Sequence, residues 1–286
     1  MPSNILINNR TASTLLVGDV IAERAYYGSS EVFIVPEDDF DPDAATYIAA
    51  VEAADGQTLE PGVKQAIDGF VTGCKADGIW DALKASCILA GARTLNGALV
   101  PLAGDAPTNF NFVSADYDRM TGLVTDGATK YLDTNFAGDE VPQNSAHLSG
   151  YRTAGTAFCI CNRVAEGSWV IDNAGDGFRA EVNGRSGFLN LTATTSNGFQ
   201  GATRDNSTTY GYRFNGANGS FTRNSRAPIG DTLLVFARRL SDGSVDFATS
   251  ENGLRKSFYS AGNHVNQTNL DARVTTLTAE IEAALT

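Results

Sequence analysis

The chain has 286 residues, of which 42% are hydrophobic and 19% are charged, and its formal net charge at pH 7 is −12. This composition permits a sizeable buried core, in one large domain or in one domain with smaller attachments. The negative charge predicts no nucleic-acid partner, because phosphates are neutralised by broad basic surfaces. No apolar run reaches the length of a membrane span, so the sequence predicts no membrane partner.

The first residues and the four cysteines indicate the compartment. Residues 1–4 lack the basic and apolar segments of a signal peptide, so we expect none. Four cysteines in a chain of this length do not predict a disulfide framework. Cys74 and Cys87 lie in predicted helices and are interpreted as small buried residues, whereas Cys159 and Cys161 share one face of a predicted strand. This pattern favours a reducing compartment.

Residues 1–40 form the first predicted segment. The stretch 15–21 is echoed ten residues later by 25–31, and each predicts a strand, a turn led by glycine and a second strand. We therefore expect one or two small hairpins between residues 11 and 36. Such hairpins are too short to hold a core alone, so they must pack on the rest of the chain or on a partner.

Residues 41–92 change to a helical period and predict a helical unit. Asp41–Pro42 begins the first helix and Glu60–Pro61 begins the second. A third helix is predicted from about Ile79 to Ala90. The apolar stripes of the three predicted helices are Tyr47, Ile48 and Val51; Val63, Ile67, Phe70, Val71 and Cys74; and Ile79, Leu83 and Cys87.

Residues 93–269 carry short strands that are separated by turn residues. The segments 122–124 and 130–133 look like a strand pair around Asp126–Gly127, and residues 156–160 predict the next strand. Between residues 169 and 240 apolar and polar residues alternate, which is typical of strands with one buried and one wet face. In one such strand we expect Phe178, Ala180 and Val182 to be buried and Arg179, Glu181 and Asn183 to face water.

The turn residues and one fully apolar strand define the predicted fold class. Thr232–Ala237 is apolar on both faces, as an inner strand would be. Asn-Gly and Asp-Gly pairs tolerate the positive φ of tight turns and occur at residues 183, 215, 218, 242 and 252. The sequence therefore predicts a mainly β fold, an antiparallel β-sandwich of the jelly-roll type, preceded by the hairpins and the helical unit.

A C-terminal helix is predicted over residues 270–286. Its apolar residues repeat at intervals of three or four and form one stripe, which predicts a face docked on the sandwich or, as an alternative, a self-associating helix. The stripe consists of Leu270, Val274, Leu277, Ile281 and Leu285.

Several stretches resemble a recurrent module of tailed-phage virion proteins. They are Asp43–Gly56, Gly73–Asp81, Lys84–Thr94 and Thr121–Leu132, together with Phe258–Ser260, the helix from Leu270 and the turn Tyr27–Val32. One departure is Ala261–His264, where the family often has an Ile-Gly pair, so the exit from the sandwich is expected to differ.

The resemblance implies a fold and a function. It implies a laminin-G or concanavalin-A-like jelly roll in a structural protein of the virion, of the tail-fibre or head-decoration type. The expected partners are other virion proteins and copies of the chain itself, with a trimer favoured. The alternative function is a receptor-binding or glycan-binding module for host attachment.

Jelly rolls of this type include glycosidases, whose catalytic motifs this sequence lacks. Their paired carboxylates commonly come from one Glu-x-Asp-x-Glu strand, and the sequence has no such run. Glu166, Glu181 and Glu251 are isolated, and His147 and His264 are predicted to be polar loop residues rather than bases. The sequence therefore predicts no enzyme and no catalytic residue, with a polysaccharide hydrolase as the least favoured function.

The sequence also lacks complete metal and cofactor motifs. Two histidines without ligand partners argue against zinc, and Gly175–Ala180 matches a dinucleotide fingerprint only by letter, because it lies in a hairpin. Asp172–Gly177 is similar to the start of a calcium loop, but Asn183 stands where the closing glutamate would be. We predict no cofactor and no metal, and a partial calcium site at a sheet edge stays open.

Aromatic residues on the strands leave two interpretations. Trp169, Tyr210 and Tyr212 could stack on sugar rings, or they could belong to the core, which is the more usual place for aromatics that alternate on a strand.

Overall fold

A computed structural model describes the backbone of six short strands before residue 40, and residues 40–155, 159–163, 169–172, 177–184, 191–192, 197–214, 216–247 and 253–286. The chain divides into two compact units, Met1–Asp41 and Pro42–Thr286.

The first unit contains three antiparallel hairpins, each a separate two-stranded sheet. Their strands are β1 (Ile5–Ile7) and β2 (Arg10–Ala12), β3 (Leu16–Val17) and β4 (Val20–Ile21), and β5 (Arg24–Tyr27) and β6 (Ser30–Ile34). One or two hairpins were predicted between residues 11 and 36, and the structure has two there, β3–β4 and β5–β6. A further hairpin, β1–β2, precedes them.

The second unit begins with two helices, α1 (Pro42–Asp55) and α2 (Pro61–Ala76). Both predicted starts and both apolar stripes are confirmed, since Tyr47, Ile48 and Val51 are buried in α1 and the five stripe residues are buried in α2. Proline occupies the first position of α2, where its missing N–H removes no intrahelical bond.

The third predicted helix is wrong. Residues 80–82 form one short 3₁₀ turn, and Leu83–Ile88 is strand β7. Alternate residues of β7, Ala85 and Cys87, lie in the core. Residues spaced by four share a face in both a helix and a strand, so the stripe could not separate the two structures. The segment Leu83–Ile88 is a strand because it pairs with another strand, formed by residues 255–262.

The remaining elements, apart from a last helix, follow in chain order. They are α3 (Leu95–Ala98), β8 (Thr108–Phe110), β9 (Tyr117–Asp118), β10 (Gly122–Val124), β11 (Tyr131–Ala137), β12 (Ala146–Ala154), β13 (Cys159–Cys161), β14 (Trp169–Asp172), β15 (Gly177–Val182), β16 (Leu191–Thr192), β17 (Gly198–Arg204), β18 (Thr209–Phe214), β19 (Ala217–Thr222), β20 (Thr232–Val235), β21 (Arg238–Arg239), β22 (Val245–Asp246) and β23 (Arg255–Gly262).

Two antiparallel sheets form the body of this unit. Sheet 1 has the order β19-β18-β17-β12-β23-β10-β9, with β7 also paired to β23, and sheet 2 has the order β16-β15-β14-β13-β20-β11-β8. Their facing side chains share one hydrophobic core, which includes Leu132, Leu148, Trp169, Ile171, Val182, Ala202, Leu233 and Val235. The predicted antiparallel β-sandwich is therefore confirmed, and β20 is the inner strand expected from Thr232–Ala237.

Strands β10 and β11 were predicted to pair with each other, and this pairing is wrong. β10 pairs with β9 and β23 in sheet 1, whereas β11 pairs with β20 and β8 in sheet 2. The Asp126 carboxylate accepts hydrogen bonds from the N–H groups of Ala128, Thr129 and Lys130. This side-chain-stabilised turn sends the chain across to the other sheet instead of back along the same one.

The predicted wet face of β15 is also wrong, because Arg179, Glu181 and Asn183 are all buried. Asn183 accepts a hydrogen bond from the Trp169 indole N–H (2.5 Å) and donates to the Gln143 carbonyl oxygen (2.8 Å). Alternation locates two faces of a strand, but it does not show that the polar one meets solvent.

The last helix, α4, spans Gln267–Leu285 and begins three residues before the predicted start. Its stripe residues Leu270, Val274, Leu277 and Ile281 are buried, and the helix packs on α2 as well as on β17. Two ion pairs, Arg213–Asp271 (2.5 Å) and Arg273–Asp77 (2.8 Å), add contacts along its length.

The described cysteine side chains are free thiols, and Cys74, Cys87 and Cys161 are all buried. Burial raises the pKa values of Cys74 and Cys87 to about 12, which keeps both thiols protonated near neutral pH. Within the described part of the chain, no helix combines the length and apolar character needed to cross a bilayer.

Two glycines of α2 give opposite stability predictions. A Cβ at Gly69 would meet one atom, Glu280 Oε2, at 3.8 Å, whereas a Cβ at Gly62 would lie 2.8 Å from the Ala284 Cβ of α4. Gly69→Ala should raise the free energy of unfolding by about 0.5–1 kcal/mol, because alanine restricts the unfolded chain and favours the helix. Gly62→Ala should lower it, because α4 must move away. Urea denaturation measures both changes, and equal effects of the two variants would contradict the prediction.

Candidate functional site

A surface cleft of about 240 Å³ opens where the first turn of α4 crosses β17, β18 and β19. We call it the α4 cleft. Among the residues that the structure describes, its walls carry hydroxyl, amide and imidazole groups and no carboxylate, ammonium or guanidinium group. These polar side chains come from Thr203, Asn218, His264, Asn266, Gln267 and Thr268.

The floor of the α4 cleft is formed by two strand glycines, Gly211 and Gly219. A Cβ at Gly211 would meet no atom closer than 3.7 Å, so the missing side chain leaves open space above β18. Gly219 has a different role, since on the core-facing side of the sheet the Tyr212 ring lies across it and stacks on Phe221 at a centroid distance of 4.9 Å. Gly211 therefore leaves the cleft open, and Gly219 makes room for an aromatic ring on the opposite side of the sheet.

One wall of the cleft is held by a chain of side-chain contacts. Asn218 donates to the Thr268 hydroxyl (2.8 Å) and accepts from the Arg213 guanidinium (3.0 Å). Arg213 is in turn paired with Asp271 of α4 (2.5 Å). Because the two charges neutralise each other, this wall presents a fixed but uncharged polar surface.

The opposite wall joins β17 to the segment before α4. The Thr203 hydroxyl donates to the Ala146 carbonyl oxygen (3.2 Å) and lies 2.9 Å from His264 Nδ1. The backbone N–H of His264 donates to the Ser145 hydroxyl (3.2 Å). His264 is exposed and lies outside the regular elements, which agrees with the predicted polar loop residue.

The first turn of α4 closes the cleft. Asn266 caps the helix, because its side-chain oxygen accepts from the N–H groups of Thr268 (2.9 Å) and Asn269 (3.3 Å). Gln267 is only 5% exposed and donates through Nε2 to the Ala202 carbonyl oxygen (3.2 Å). Its Oε1 has no hydrogen-bond partner among the residues that the structure describes. A buried acceptor of this kind costs free energy unless something donates to it.

His147 was predicted in a loop, and this is wrong, because it lies fully buried in β12 beneath the segment that leads to α4. Its Nδ1–H donates to the Asn263 carbonyl oxygen (2.5 Å), and Nε2 lies 3.1 Å from the Ser260 hydroxyl. Burial lowers the pKa of His147 from its ordinary value of 6.5 to about 4. The neutral ring therefore ties β12 to the chain just before the cleft.

The aromatic candidates from the sequence separate into two groups. Trp169 and Tyr210 are buried in the sandwich, as core residues would be. Tyr212 is half-buried, and its ring packs against the hydrophobic core between the two sheets. Only its backbone borders the α4 cleft, because neighbouring residues of a strand point to opposite faces and Gly211 faces the cleft. All three aromatic candidates therefore pack inside the fold.

The acidic candidates are not brought together by the described residues. Glu181 is buried in β15, while Glu166 and Glu251 lie outside the described residues. Most of the calcium-like segment, residues 173–176, also lies outside them. In the ranges that the structure does describe, no group of three or more His, Cys, Asp or Glu side chains is placed to hold a metal ion.

Sequence patterns did not identify Thr203, Asn218 or Gln267 as cleft residues. They come from three distant segments, and each is an ordinary polar residue in its own element. One signal was present, since Gly211 interrupts a strand between two tyrosines and a glycine inside a strand often marks a close approach or an open space.

A second cleft of about 380 Å³ lies beside Trp80 at the start of α1 and the end of α2. The Trp80 indole N–H donates to Asp43 (3.0 Å), and Lys75 pairs with the same carboxylate (2.6 Å). This second cleft is lined by charged groups that pair with each other, whereas the described lining of the α4 cleft is neutral.

Comparisons with known proteins give similarities of fold only. No protein-family model matches the chain, and no curated protein matches it in sequence. Among solved structures it is similar to the binding domain of botulinum neurotoxin serotype D (TM-score 0.47, 10% identity, 71% of this chain and 52% of that one). A mutant of Trypanosoma rangeli sialidase displaying trans-sialidase activity is also similar (TM-score 0.42, 10% identity, 76% and 39%). The chain spans about half the length of the neurotoxin domain, and similarities this weak assign neither a family nor a function.

We predict that His147 makes the fold acid-labile. Its pKa is about 4 when folded and returns towards 6.5 on unfolding, so its contribution is complete above pH 6.5 and is lost as the pH falls towards 4. The loss should be on the order of 2–3 kcal/mol. Thermal unfolding between pH 7 and 4.5 should show this slope in the native chain, and it should be shallower in His147→Asn.

The matched control for this prediction is His264→Asn, which removes the exposed imidazole and should keep the native slope. Carboxylates with lowered pKa values, such as Glu60 in its contact with Arg119, lose their contribution only near and below pH 4.5. Equal slopes in the two histidine variants would show that His147 is not the group that titrates.

Proposed function

We propose that the chain is a structural protein of a tailed-phage virion, of the tail-fibre or head-decoration type. It docks on the particle through its first unit and displays the β-sandwich at the surface, where it acts by contact and not by catalysis. The observation that carries this proposal is the division of the chain into a small unit of separate hairpins and a large unit with its own core.

The small unit favours assembly for a physical reason. A two-stranded hairpin in water is at best marginally stable, and a segment of this length rarely buries enough apolar surface to fold alone. In Met1–Asp41 each hairpin forms a sheet of its own, with no third strand from the described residues. Other virion proteins or copies of the same segment would supply the missing surface, and a symmetric trimer is the favoured arrangement.

Removing the first unit tests the assembly. We expect the full chain to form trimers and a chain of residues 42–286 to be monomeric, because the surface for association is lost while the sandwich core remains. Light scattering coupled to size-exclusion chromatography gives the masses, and circular dichroism checks that the shortened chain stays folded. Two monomers, neither of which adsorbs to virions, would contradict the proposal.

The second candidate function, a receptor-binding or glycan-binding module, is favoured by the α4 cleft. Its walls carry neutral hydrogen-bonding groups, which suit a hydroxyl-rich ligand. This function is compatible with the first, because a displayed sandwich can be both a scaffold and an adhesin.

Host adsorption tests the second function. Labelled full chain should bind host cells, and an excess of unlabelled chain should reduce phage adsorption several-fold by occupying the same receptors. The Gly69→Ala variant serves as a folded control. Absence of cell binding would reject the adhesin function, and release of sugar from host polysaccharide would contradict the proposal that the chain binds without cleaving.

A further inference from the structure

We propose that the outer edge of strand β19 (Ala217–Thr222) is a docking surface for a second copy of the chain. The two β19 strands pair antiparallel about a two-fold axis at Ser220 and join the two copies of sheet 1 into one continuous sheet. This inference goes beyond the proposed function, because it needs neither the first unit nor a host ligand. It follows from the length, the hydrogen-bonding groups and the neutral sequence of this edge.

β19 is the outermost strand of sheet 1 and, in the described part of the chain, pairs only with β18. Its six residues keep one regular register with β18, and they include no proline and no charged residue. Proteins usually protect an exposed edge with a short strand, a charge, a proline or a bulge. The other described ends of the two sheets are short, since β9 and β16 have two residues each and β8 has three. β19 has none of these protections.

The backbone groups of β19 point alternately towards β18 and towards solvent. Phe214 pairs with Ala217 across a loop of two residues, and farther along the hairpin the Arg223 N–H donates to the Thr208 carbonyl oxygen (2.7 Å). These two contacts fix the phase, because residues that bond to the neighbouring strand alternate with residues that direct their N–H and C=O groups outward. The outward residues, all exposed, are Asn218, Ser220 and Thr222. The edge therefore offers donors and acceptors at the spacing of a β-ladder.

Antiparallel pairing about Ser220 satisfies all of these outward groups with a second copy. Ser220 meets its own counterpart, and Asn218 meets Thr222 of the second copy, so that each pair exchanges two N–H···O bonds. The side chains of these pairs carry hydroxyl and amide groups, which hydrogen-bond well across strands. No charged residue of β19 lies opposite a like charge, because the strand has none. The sequence of the edge is therefore complementary to itself.

The core-facing side of the joined strands brings aromatic rings together. In this register Phe221 lies opposite Gly219 of the second copy. Gly219 is covered by the Tyr212 ring of its own chain, on which Phe221 also stacks. Phe221 is half-buried. Pairing therefore places the exposed part of each Phe221 ring beside the aromatic pair of the second copy and removes apolar surface from water.

The size of the contact sets its strength. Three residue pairs bury less surface than the total of about 1,200–2,000 Å² that is typical of stable complexes. We therefore expect the second unit alone to stay monomeric at the low concentrations of chromatography. On a particle, where neighbouring copies are held at about millimolar effective concentration, a weak contact of this kind forms readily.

Sedimentation velocity of the full chain tests the pairing. Between about 10 and 500 μM the weight-average mass should rise at least about 1.5-fold, because mass action favours a weak contact at high concentration. Ser220→Pro removes the N–H at the two-fold axis and should abolish this rise. The fold should survive, since an edge strand tolerates proline where its N–H faces solvent. Ser220→Ala loses the same hydroxyl but keeps the N–H, so this matched control should associate like the native chain.

Two charged variants locate the axis. Ser220→Lys should prevent association, because like charges then meet directly across the two strands, and Ser220→Asp should do the same. An equimolar mixture of these two variants should associate again, since opposite charges now face each other. Circular dichroism checks that every variant keeps the native fold. The inference is overturned if the native chain shows no rise in mass, if Ser220→Pro associates like the native chain, or if the mixture of charged variants does not associate.

These outcomes are separable from those of the proposed function. A trimer whose mass does not grow with concentration would keep assembly through the first unit and reject the contact at β19. Growth that Ser220→Pro abolishes, in a chain that forms no trimer, would support the contact at β19 and contradict the trimer.

Discussion

The position of β23 in the middle of sheet 1 is the constraint on which the rest of the second unit depends. One edge of β23 pairs with β12, and the other pairs with β7 and β10. Phe258 packs on Phe70 of α2 with ring centroids 5.7 Å apart, and Tyr259 and Ala261 belong to the sandwich core. A strand near the end of the chain therefore joins the helices, the first strand of the unit and the sandwich. The helices are part of the same packed body and not an attachment to it.

This arrangement explains which elements could be predicted from the sequence. The helices α1, α2 and α4 and the small hairpins depend on neighbours within a few residues, so periodicity and turn residues located them well. Strand β7 depends on a partner more than 160 residues away along the chain. Its local pattern fitted a helix equally well, and only the distant pairing separates the two structures. The wrong pairing of β10 with β11 has the same origin, because the sequence of neither strand shows which of the two sheets it joins.

The candidate site shows a similar limit. His264 was predicted to be a polar loop residue, and its place in the α4 cleft depends on how the segment before α4 crosses β17. The sequence does not identify Thr203, Asn218 and Gln267 as site residues, because each is an ordinary polar residue in a separate element. The polar face of β15 shows a second kind of error. The sequence predicts that Arg179 and Glu181 face solvent, but both are buried in the fold. The sequence of a strand shows which of its residues are polar. Whether those residues are buried depends on which other parts of the chain pack against the strand.

The central place of β23 also has a consequence for biosynthesis. A ribosome delivers residues 255–262 only after almost all of the second unit has emerged, so β7 and β12 must wait for the strand that lies between them. Until then the apolar sides of both strands are exposed to solvent, and unpaired backbone edges invite contact with other nascent chains. Sheet 1 is therefore completed only after β23 has been made, and chaperones that shield extended segments would have their main opportunity before that point.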